Sequence, residues 1–332
     1  MRQFIFFIIL CLGLFTCKNK TKDKAVVENI QVILPFQRLE EELFHINSRE
    51  DVQSFFLKYP LVSEKYFDMD SAMVKDPEVI QSFYEFYSNK FLKEFYLESK
   101  NSFGDIAPLQ SQLEDFYKHV KFYYPKSTVP KAYTVVTGFN PDKPFLVDDT
   151  LLVVSIDFFL GPKAKYRPPY YKYMLDRFEK PYIAPFIALA VSLKYNLTDY
   201  KDETMLANMI YHGKSLYFSE MMLPELADSM LIMYTGNEIA GVIENKKTIW
   251  GHFIQNKLLF ETQPHLIEKY IGERPKVTEV GDKCPGRIGR WLGWQIVRKY
   301  MEKHPDITLQ ELMNEKDSQK IFRESKYKPD LD

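Results

Sequence analysis

The chain has 332 residues, of which 45% are hydrophobic and 15% are aromatic, so it carries enough apolar side chains to bury a large core. Its 44 basic residues nearly balance its 45 acidic residues. This composition excludes a mainly disordered chain, and the lack of any basic surplus argues against nucleic acid as a partner.

The first 17 residues have the pattern of a bacterial export signal. Arg2 precedes an apolar run that ends at Phe15, and this run is shorter than the roughly 20 residues needed to span a membrane. The sequence from Leu14 to Cys17 resembles a lipobox, where the signal is cleaved before a cysteine that carries the lipid, although Thr16 departs from the usual small residue. Cys11 is the rival acceptor, and an ordinary signal peptide is the remaining alternative.

These features predict three segments. Residues 1–16 form a lipoprotein signal peptide, residues 17–34 hold the lipidated Cys17 and a tether, and residues 35–332 form a single, mostly helical domain. Residues 18–24 contain four lysines and no apolar side chain, which suits a solvated tether beside anionic headgroups. Cys284 is the one cysteine beyond Cys17, so we expect stability to come from packing rather than from an internal disulfide.

Helix signals stand at both ends of the domain. Ser48 and Asp76-Pro77 are typical of helix starts, and aromatic residues then recur at helical spacing. We interpret these aromatic stripes as core. Further helices are predicted over residues 183–195, 206–222, 249–260 and 288–301, and the sequence from Thr308 to Glu311 is a capping box that opens a late helix.

Residues 131–157 change to the pattern of strands. Residues 132–137 and 151–156 are rich in β-branched side chains, a turn containing Pro141 and Pro144 lies between them, and residues 145–147 follow that turn. The pattern predicts an antiparallel meander of two or three strands. The expected fold class is therefore α+β, predominantly helical, with a small antiparallel sheet in the middle of the chain.

The sequence contains no complete catalytic motif. Residues 208–215 imitate the spacing of a P-loop, but Asn208 replaces the first glycine and the stretch has a helical pattern. The six histidines show no paired metal-ligand spacing, and Cys284 has no histidine nearby in sequence to activate it. Asp148-Asp149 could be selected as a carboxylate pair, but a chain with 45 acids offers many such pairs. We therefore predict no catalytic residue, no metal and no cofactor.

The most informative stretch begins at Cys284. Pro285-Gly286 marks a helix start, and Gly289 and Gly293 lie one turn apart, so a partner helix can approach closely. Internal packing is one interpretation of this helix. The other is an anion or partner contact made by Arg287 and Arg290 at its N-terminus.

Several blocks resemble the GldB gliding-motility lipoproteins of the Bacteroidota. The most specific is PGRIGRWLGWQIVRKY at residues 285–300. Others are KHVKFYYP at 118–125, LLVVSIDFFLG at 151–161 and MIYHGKSLYF at 209–218. The resemblance implies a lipid-anchored envelope protein of the gliding machinery, which shares parts with type IX secretion. Because no acidic cluster follows Cys17, it also implies an anchor that faces the periplasm.

The same resemblance extends to distant zinc-protease-like proteins. In those proteins a strand precedes a helix with the ligands His-Glu-x-x-His, and a later helix supplies a glutamate. Here residues 185–190, in the corresponding helix, offer no ligand. The resemblance therefore implies a degenerate scaffold that has no group to activate a zinc-bound water.

Two hypotheses remain. The first is a non-enzymatic, lipid-anchored component of the gliding machinery that contacts the membrane through its lipid and acts through other gliding proteins, with no small-molecule substrate. The alternative is a periplasmic hydrolase or a carbohydrate- or peptide-binding lipoprotein whose cleft uses the many Tyr and Trp residues. The positions of Trp250, Trp291 and Trp294 discriminate between them, because rings that converge on an open cleft favour the alternative and buried rings favour core.

Overall fold

The structure is a computed structural model that describes residues 26–140 and 143–329. The predicted signal peptide and Cys17 lie outside the described residues. Residues 26–329 form mostly helix around one small sheet, which confirms the prediction of a predominantly helical α+β fold.

The helices form two groups along the chain, one before and one after the segment 131–155, which contains three of the four strands of the sheet. Those before it are α1 (Leu39–Leu43), α2 (Arg49–Lys58), α3 (Pro60–Lys65), α4 (Pro77–Ser88), α5 (Lys90–Phe103) and α6 (Ala107–Tyr123). Those after it are α7 (Lys172–Leu175), α8 (Ile183–Tyr195), α9 (Met205–Met222), α10 (Asp228–Ile232), α11 (Gly236–Glu244), α12 (Lys246–Gln255), α13 (Pro264–Ile271), α14 (Ile288–Lys303), α15 (Leu309–Asn314) and α16 (Ser318–Ser325). Within the described ranges, no helix has the length and apolar character needed to cross a membrane.

The sheet contains β1 (Phe36–Arg38), β2 (Lys131–Val135), β3 (Phe145–Val147) and β4 (Leu151–Ser155), in the spatial order β1-β2-β4-β3. β1 runs parallel to β2, and β2 runs parallel to β4, while β3 and β4 form an antiparallel hairpin. The predicted antiparallel meander is therefore wrong in its pairing. β3 folds back onto the outer edge of β4, so the other edge of β4 is free to pair with β2. β1, which comes from far upstream in the chain, adds a further parallel strand beside β2, and the sheet is therefore mixed.

Capping explains several helix starts. The Ser48 hydroxyl accepts from the Asp51 amide and the Asp51 carboxylate accepts in return, while Asp76 caps α4 with Pro77 at its first position. Thr308 and Glu311 form the predicted box before α15. These starts were predicted from sequence and are confirmed, because a cap is a local interaction that needs no distant partner.

The core extends from the aromatic N-terminal helices to α14. Phe55, Phe56, Phe116 and Tyr87 are buried, which confirms that most of the aromatic positions are core. Their rings pack edge to face, as in the contact between Phe56 and Phe83. Phe91, the last aromatic residue of the stripe that follows Pro77, is exposed, so there the prediction is wrong.

The helices α9 and α14 cross in backbone contact through glycines. A Cβ atom added at Gly293 would lie 1.8 Å from the carbonyl oxygen of Met209, and one added at Gly213 would lie 2.4 Å from the carbonyl of Gly293. The partner helix predicted from the glycine spacing is therefore α9, and the close approach occurs within the molecule.

Candidate functional site

Arg287 and Arg290 lie where α14 begins, at the centre of a cluster of charged groups. We call this set the arginine cluster and define it as Arg177, His212, Glu273, Arg287 and Arg290. Its members come from four separate parts of the chain. Arg287 itself has a left-handed backbone, with φ of 61°, and is 5% exposed.

The guanidinium of Arg287 bonds to the end of α10. Its Nη1 donates to the carbonyl of Ile232 at 3.0 Å, and its Nη2 donates to the carbonyl of Met233 at 3.1 Å. The same group lies over the ring of Tyr234, 5.3 Å from its centroid, and the Tyr234 hydroxyl donates to the carbonyl of Gly286. Arg287 therefore satisfies carbonyls that the end of α10 leaves without helical partners.

Arg290 makes a similar contact with another helix end. Its Nε donates to the carbonyl of Ile271, the last residue of α13, at 2.6 Å. Glu273 lies two residues after Ile271. Its carboxylate accepts a hydrogen bond from Nη1 of Arg177 at 2.7 Å and lies 3.3 Å from Nε of Arg287. The cluster thus joins α10, α13 and α14 at one point.

The electrostatics of the cluster show a surplus of positive charge. Burial opposes ionisation of Glu273, but the charges of Arg287 and Arg177 lower its pKa below the ordinary value. Burial, together with the like charge of Arg177, lowers the pKa of Arg287 to about 10. Burial, and then the charges of Arg290 and Arg287, lower the pKa of His212 to about 3, so its imidazole is neutral near pH 7.

Sequence reasoning selected Arg287 and Arg290 but missed Arg177, His212 and Glu273. The structure brings all five together and gives both selected arginines contacts inside the molecule. Contact of either one with an anion or a partner protein stays a prediction. Tyr234, whose ring lies under Arg287, could have been noticed in the sequence. It stands in a short Tyr-Thr-Gly block, and the Thr235 hydroxyl caps the start of α11 directly after it.

The helix pair α8 and α9 occupies the place where the zinc-protease-like resemblance puts metal ligands. Ile183, Ile187 and Ala188 of α8 are fully buried in the core. Within the part of the chain that the structure describes, no three His, Cys, Asp or Glu side chains lie close enough together to hold a metal ion.

Lys214 on α9 belongs to the stretch that imitates a P-loop. Residues 208–215 lie inside α9, as their pattern predicted, so they form no phosphate-binding loop. The Lys214 side chain is buried, and its Nζ donates to the carbonyls of Leu197, Met313 and Glu315 at 2.6, 3.2 and 2.8 Å. Burial lowers its pKa to about 8. This lysine joins the C-terminal helices to α9.

The tryptophans and the remaining cysteine are packing residues. Trp291 and Trp294 are buried, and Trp250 packs against Phe322 and Tyr327, so the three rings do not converge on an open cleft. Their burial favours a role in the core. Burial also raises the pKa of the Cys284 thiol to about 12, which keeps it protonated and weakly nucleophilic at neutral pH.

Comparisons with known proteins give one extensive match and several short ones. The family model of the gliding motility protein GldB matches residues 20–329. Ectonucleotide pyrophosphatase/phosphodiesterase family member 1 from Mus musculus, Rattus norvegicus and Homo sapiens is 29% identical over 86 residues. That match covers 24% of this chain and 9 or 10% of the relatives, so the chain spans about a tenth of their length. No solved structure matches.

Proposed function

Since the chain belongs to the family of the gliding motility protein GldB, we propose that it is a lipid-anchored, non-enzymatic component of the gliding machinery at the cell envelope. Cys17 carries the lipid, the body faces the periplasm, and the protein acts through contacts with other gliding proteins. The observation that carries this proposal is the extent of the family match, residues 20–329, which is nearly the whole chain.

The side chains between α8 and α9 support a structural rather than a catalytic role. The inward face of α8 carries packed aliphatic side chains, and the long polar side chain on α9, Lys214, is occupied by three backbone carbonyls. An ammonium group in this position contributes to holding helices together, because one charged donor on α9 bonds both to the chain after α8 and to the end of α15. The phosphodiesterase matches cover a quarter of the chain, and we do not propose that activity for this protein.

The anchor is tested by exchanging the two candidate cysteines. We expect Cys17→Ala to abolish labelling by radioactive palmitate and to move the protein from the membrane fraction to the soluble fraction. Cys11→Ala is the matched control and should keep both the label and the membrane fraction, because Cys11 lies inside the apolar run of the signal. A Cys17→Ala protein that keeps its lipid label would contradict the assignment.

The role in an assembly is tested with the wild-type protein from native membranes. After gentle solubilisation and cross-linking, we expect it to copurify with other proteins of the gliding machinery, and we expect cells that carry only Cys17→Ala to glide poorly. A protein that is isolated alone under every solubilisation condition would contradict the proposed contacts even if the lipid anchor is correct. The two experiments therefore separate the anchor from the partners.

A further inference from the structure

A second polar region lies away from the arginine cluster, where the end of α6, the turn between β3 and β4, and the end of α8 meet. We call it the tyrosine cleft and define it as Tyr117, Tyr124, Ser127, Asp149, Lys194 and Tyr195. It consists of an inner cavity of about 60 Å³ and an outer, open depression of about 440 Å³. Both spaces are lined by Ser127, Lys194 and Tyr195, so they adjoin.

Three hydroxyl groups in this cleft have no hydrogen-bond partner among the described residues. They belong to Tyr117, which is 3% exposed, to Ser127, which is 9% exposed, and to Tyr124. Tyr117 and Ser127 line the inner cavity. Tyr124 lines the outer depression. Buried hydroxyls in proteins are almost always bonded, so two unbonded ones at the inner cavity and a third at the adjoining depression point to a polar group from outside the chain that completes them.

The charges around the inner cavity are balanced. Lys194 forms an ion pair with Asp149, and Lys65 forms one with Asp148. The Asp148 carboxylate also accepts hydrogen bonds from the backbone amides of Thr150 and Leu151. Burial, and then the nearby Tyr195, Asp149 and Asp148, raise the pKa of Tyr117. An anion beside Tyr117 would therefore meet the carboxylates of Asp148 and Asp149, which line the cavity. Both carboxylates already hold a lysine ammonium group, so neither is free to receive a cation. A neutral ligand fits this field best.

One side of the outer depression is formed by stacked aromatic rings. The rings of Tyr124 and Tyr195 stack at 3.9 Å with an angle of 24°, and both contact Phe218. The Lys194 ammonium lies 5.4 Å from the centroid of the Tyr195 ring. The exposed Lys126 and the side chain of Gln310 complete the rim. Apolar ring faces beside several hydroxyls suit a ligand that has both C–H faces and many hydroxyl groups.

The sizes of the two spaces limit how such a ligand can enter. The inner cavity has room for roughly four water molecules, which is enough for a hydroxymethyl group but not for a sugar ring. The outer depression falls within the roughly 300 to 1,000 Å³ of small-molecule sites, so it accommodates the ring itself.

We propose that the tyrosine cleft binds a neutral saccharide. One hydroxyl-bearing arm enters the inner cavity and bonds to Tyr117 and Ser127, while the sugar ring lies in the outer depression beside Tyr124 and Tyr195. This site is independent of the lipid anchor and of the partner contacts proposed above. Its ligand class is that of the alternative hypothesis from the sequence, a carbohydrate-binding lipoprotein, but the cleft is formed by tyrosines and not by the three tryptophans.

The test is calorimetric titration of the full chain, purified in a detergent that has no sugar headgroup. The probes are chitotetraose, cellotetraose and maltotetraose, with an acetylated and amidated tetra-alanine as the neutral peptide. We expect at least one oligosaccharide to bind with one-to-one stoichiometry. Tyr117→Phe and Ser127→Ala should each weaken binding about three- to tenfold, the effect of one neutral hydrogen bond. Ala190→Phe should abolish binding, because Ala190 lines the inner cavity and a phenyl ring would fill it.

Tyr66→Phe is the matched control, since it removes a hydroxyl that donates to the carbonyl of Lys143 outside the cleft. It should leave the affinity unchanged. Thermal unfolding of each variant shows that it is folded, and if Ala190→Phe does not fold, the two conservative variants still decide. Failure of all three oligosaccharides to bind at millimolar concentration, binding of the peptide alone, or full affinity in Tyr117→Phe and Ser127→Ala would each overturn the proposal.

Discussion

The arginine cluster and the tyrosine cleft are both polar regions set in the body of the protein, but they differ in how their hydrogen-bonding groups are used. In the cluster, Arg287 and Arg290 donate to backbone carbonyls at 2.6 to 3.1 Å. In the cleft, the hydroxyls of Tyr117, Tyr124 and Ser127 have no partner among the described residues. The first region is therefore largely bonded within the chain, although Nε of Arg287 lies 3.3 Å from Glu273 without a hydrogen bond, and the second is left for something else to complete.

This difference reverses what residue type alone suggests. Arginines at a helix start are typical of anion contacts, but here they stabilise helix ends inside the molecule. Tyrosines at helical spacing are typical of core, and the rings are indeed packed, but the hydroxyls of Tyr117 and Tyr124 have no partner among the described residues. Substitutions in the two regions should accordingly affect different measurements: stability for the cluster and ligand affinity for the cleft.

The largest effect is expected from Arg287→Met. This change removes the donors to Ile232 and Met233 and one of the positive charges beside Glu273. We expect a loss of about 3 kcal/mol in the free energy of unfolding, measured as a shift of the urea midpoint, because two backbone acceptors lose their donor and the carboxylate of Glu273 keeps only Arg177.

Arg287→Lys sharpens the interpretation. Lysine keeps the charge but cannot place two donors in a planar fork, so we expect about half of that loss. If Arg287→Met unfolds at the wild-type midpoint, the contacts with α10 do not stabilise the fold and the contrast with the cleft fails.

A smaller effect is expected from acid. The pKa of His212 is about 3 in the folded protein and near 6.5 in the unfolded chain, so the unfolded chain binds the proton first as the pH falls. The stability contributed by the neutral imidazole is complete above about pH 6.5 and is lost progressively down to about pH 3. Between pH 7 and pH 4.5 we expect a loss of roughly 2 kcal/mol in the free energy of unfolding.

His212→Gln provides the comparison, because glutamine does not titrate. The variant should lose less stability over the same interval, while its stability at pH 7 stays within about 1 kcal/mol of the wild type. Equal losses in the two proteins would show that protonation of His212 does not drive the acid sensitivity.

The smallest effect is expected from Tyr117→Phe without ligand. Because its hydroxyl has no partner in the chain, we expect a change of less than about 0.5 kcal/mol in the free energy of unfolding. Tyr66→Phe removes a bonded hydroxyl and should cost about 1 kcal/mol in the same urea titration. A cost at Tyr117 as large as that at Tyr66 would show that the Tyr117 hydroxyl is bonded in the free protein.

Local features of the fold were predictable from the sequence, whereas distant pairings were not. The caps at Ser48, Asp76 and Thr308 depend on neighbours two or three residues away, and they were predicted. The glycine spacing of α14 predicted a close partner helix but not that this partner is α9. β1 was missed because three residues give no periodic signal, and the mixed sheet was missed because it depends on which distant strand reaches β2 first.

The two polar regions show the same limit. Arg287 and Arg290 stand out in the sequence, but Glu273 and Arg177 acquire their role only when α13 and α14 are packed together. Tyr117, Asp149 and Lys194 are each unremarkable in the sequence. They meet because α6, the β3–β4 turn and α8 end at one place, and no spacing rule along the chain describes that meeting.

The parallel pairing of β1 with β2 has a consequence for the order of folding. Phe36 lies opposite Ala132, and residues 39–130 separate the two strands, so this part of the sheet cannot form until that whole stretch is available. Closing so long a loop is entropically costly, and non-local parallel pairs are typical of slow steps. We therefore expect the segment made early by the ribosome to be among the last to dock, after its own intervening helices have gathered around β4.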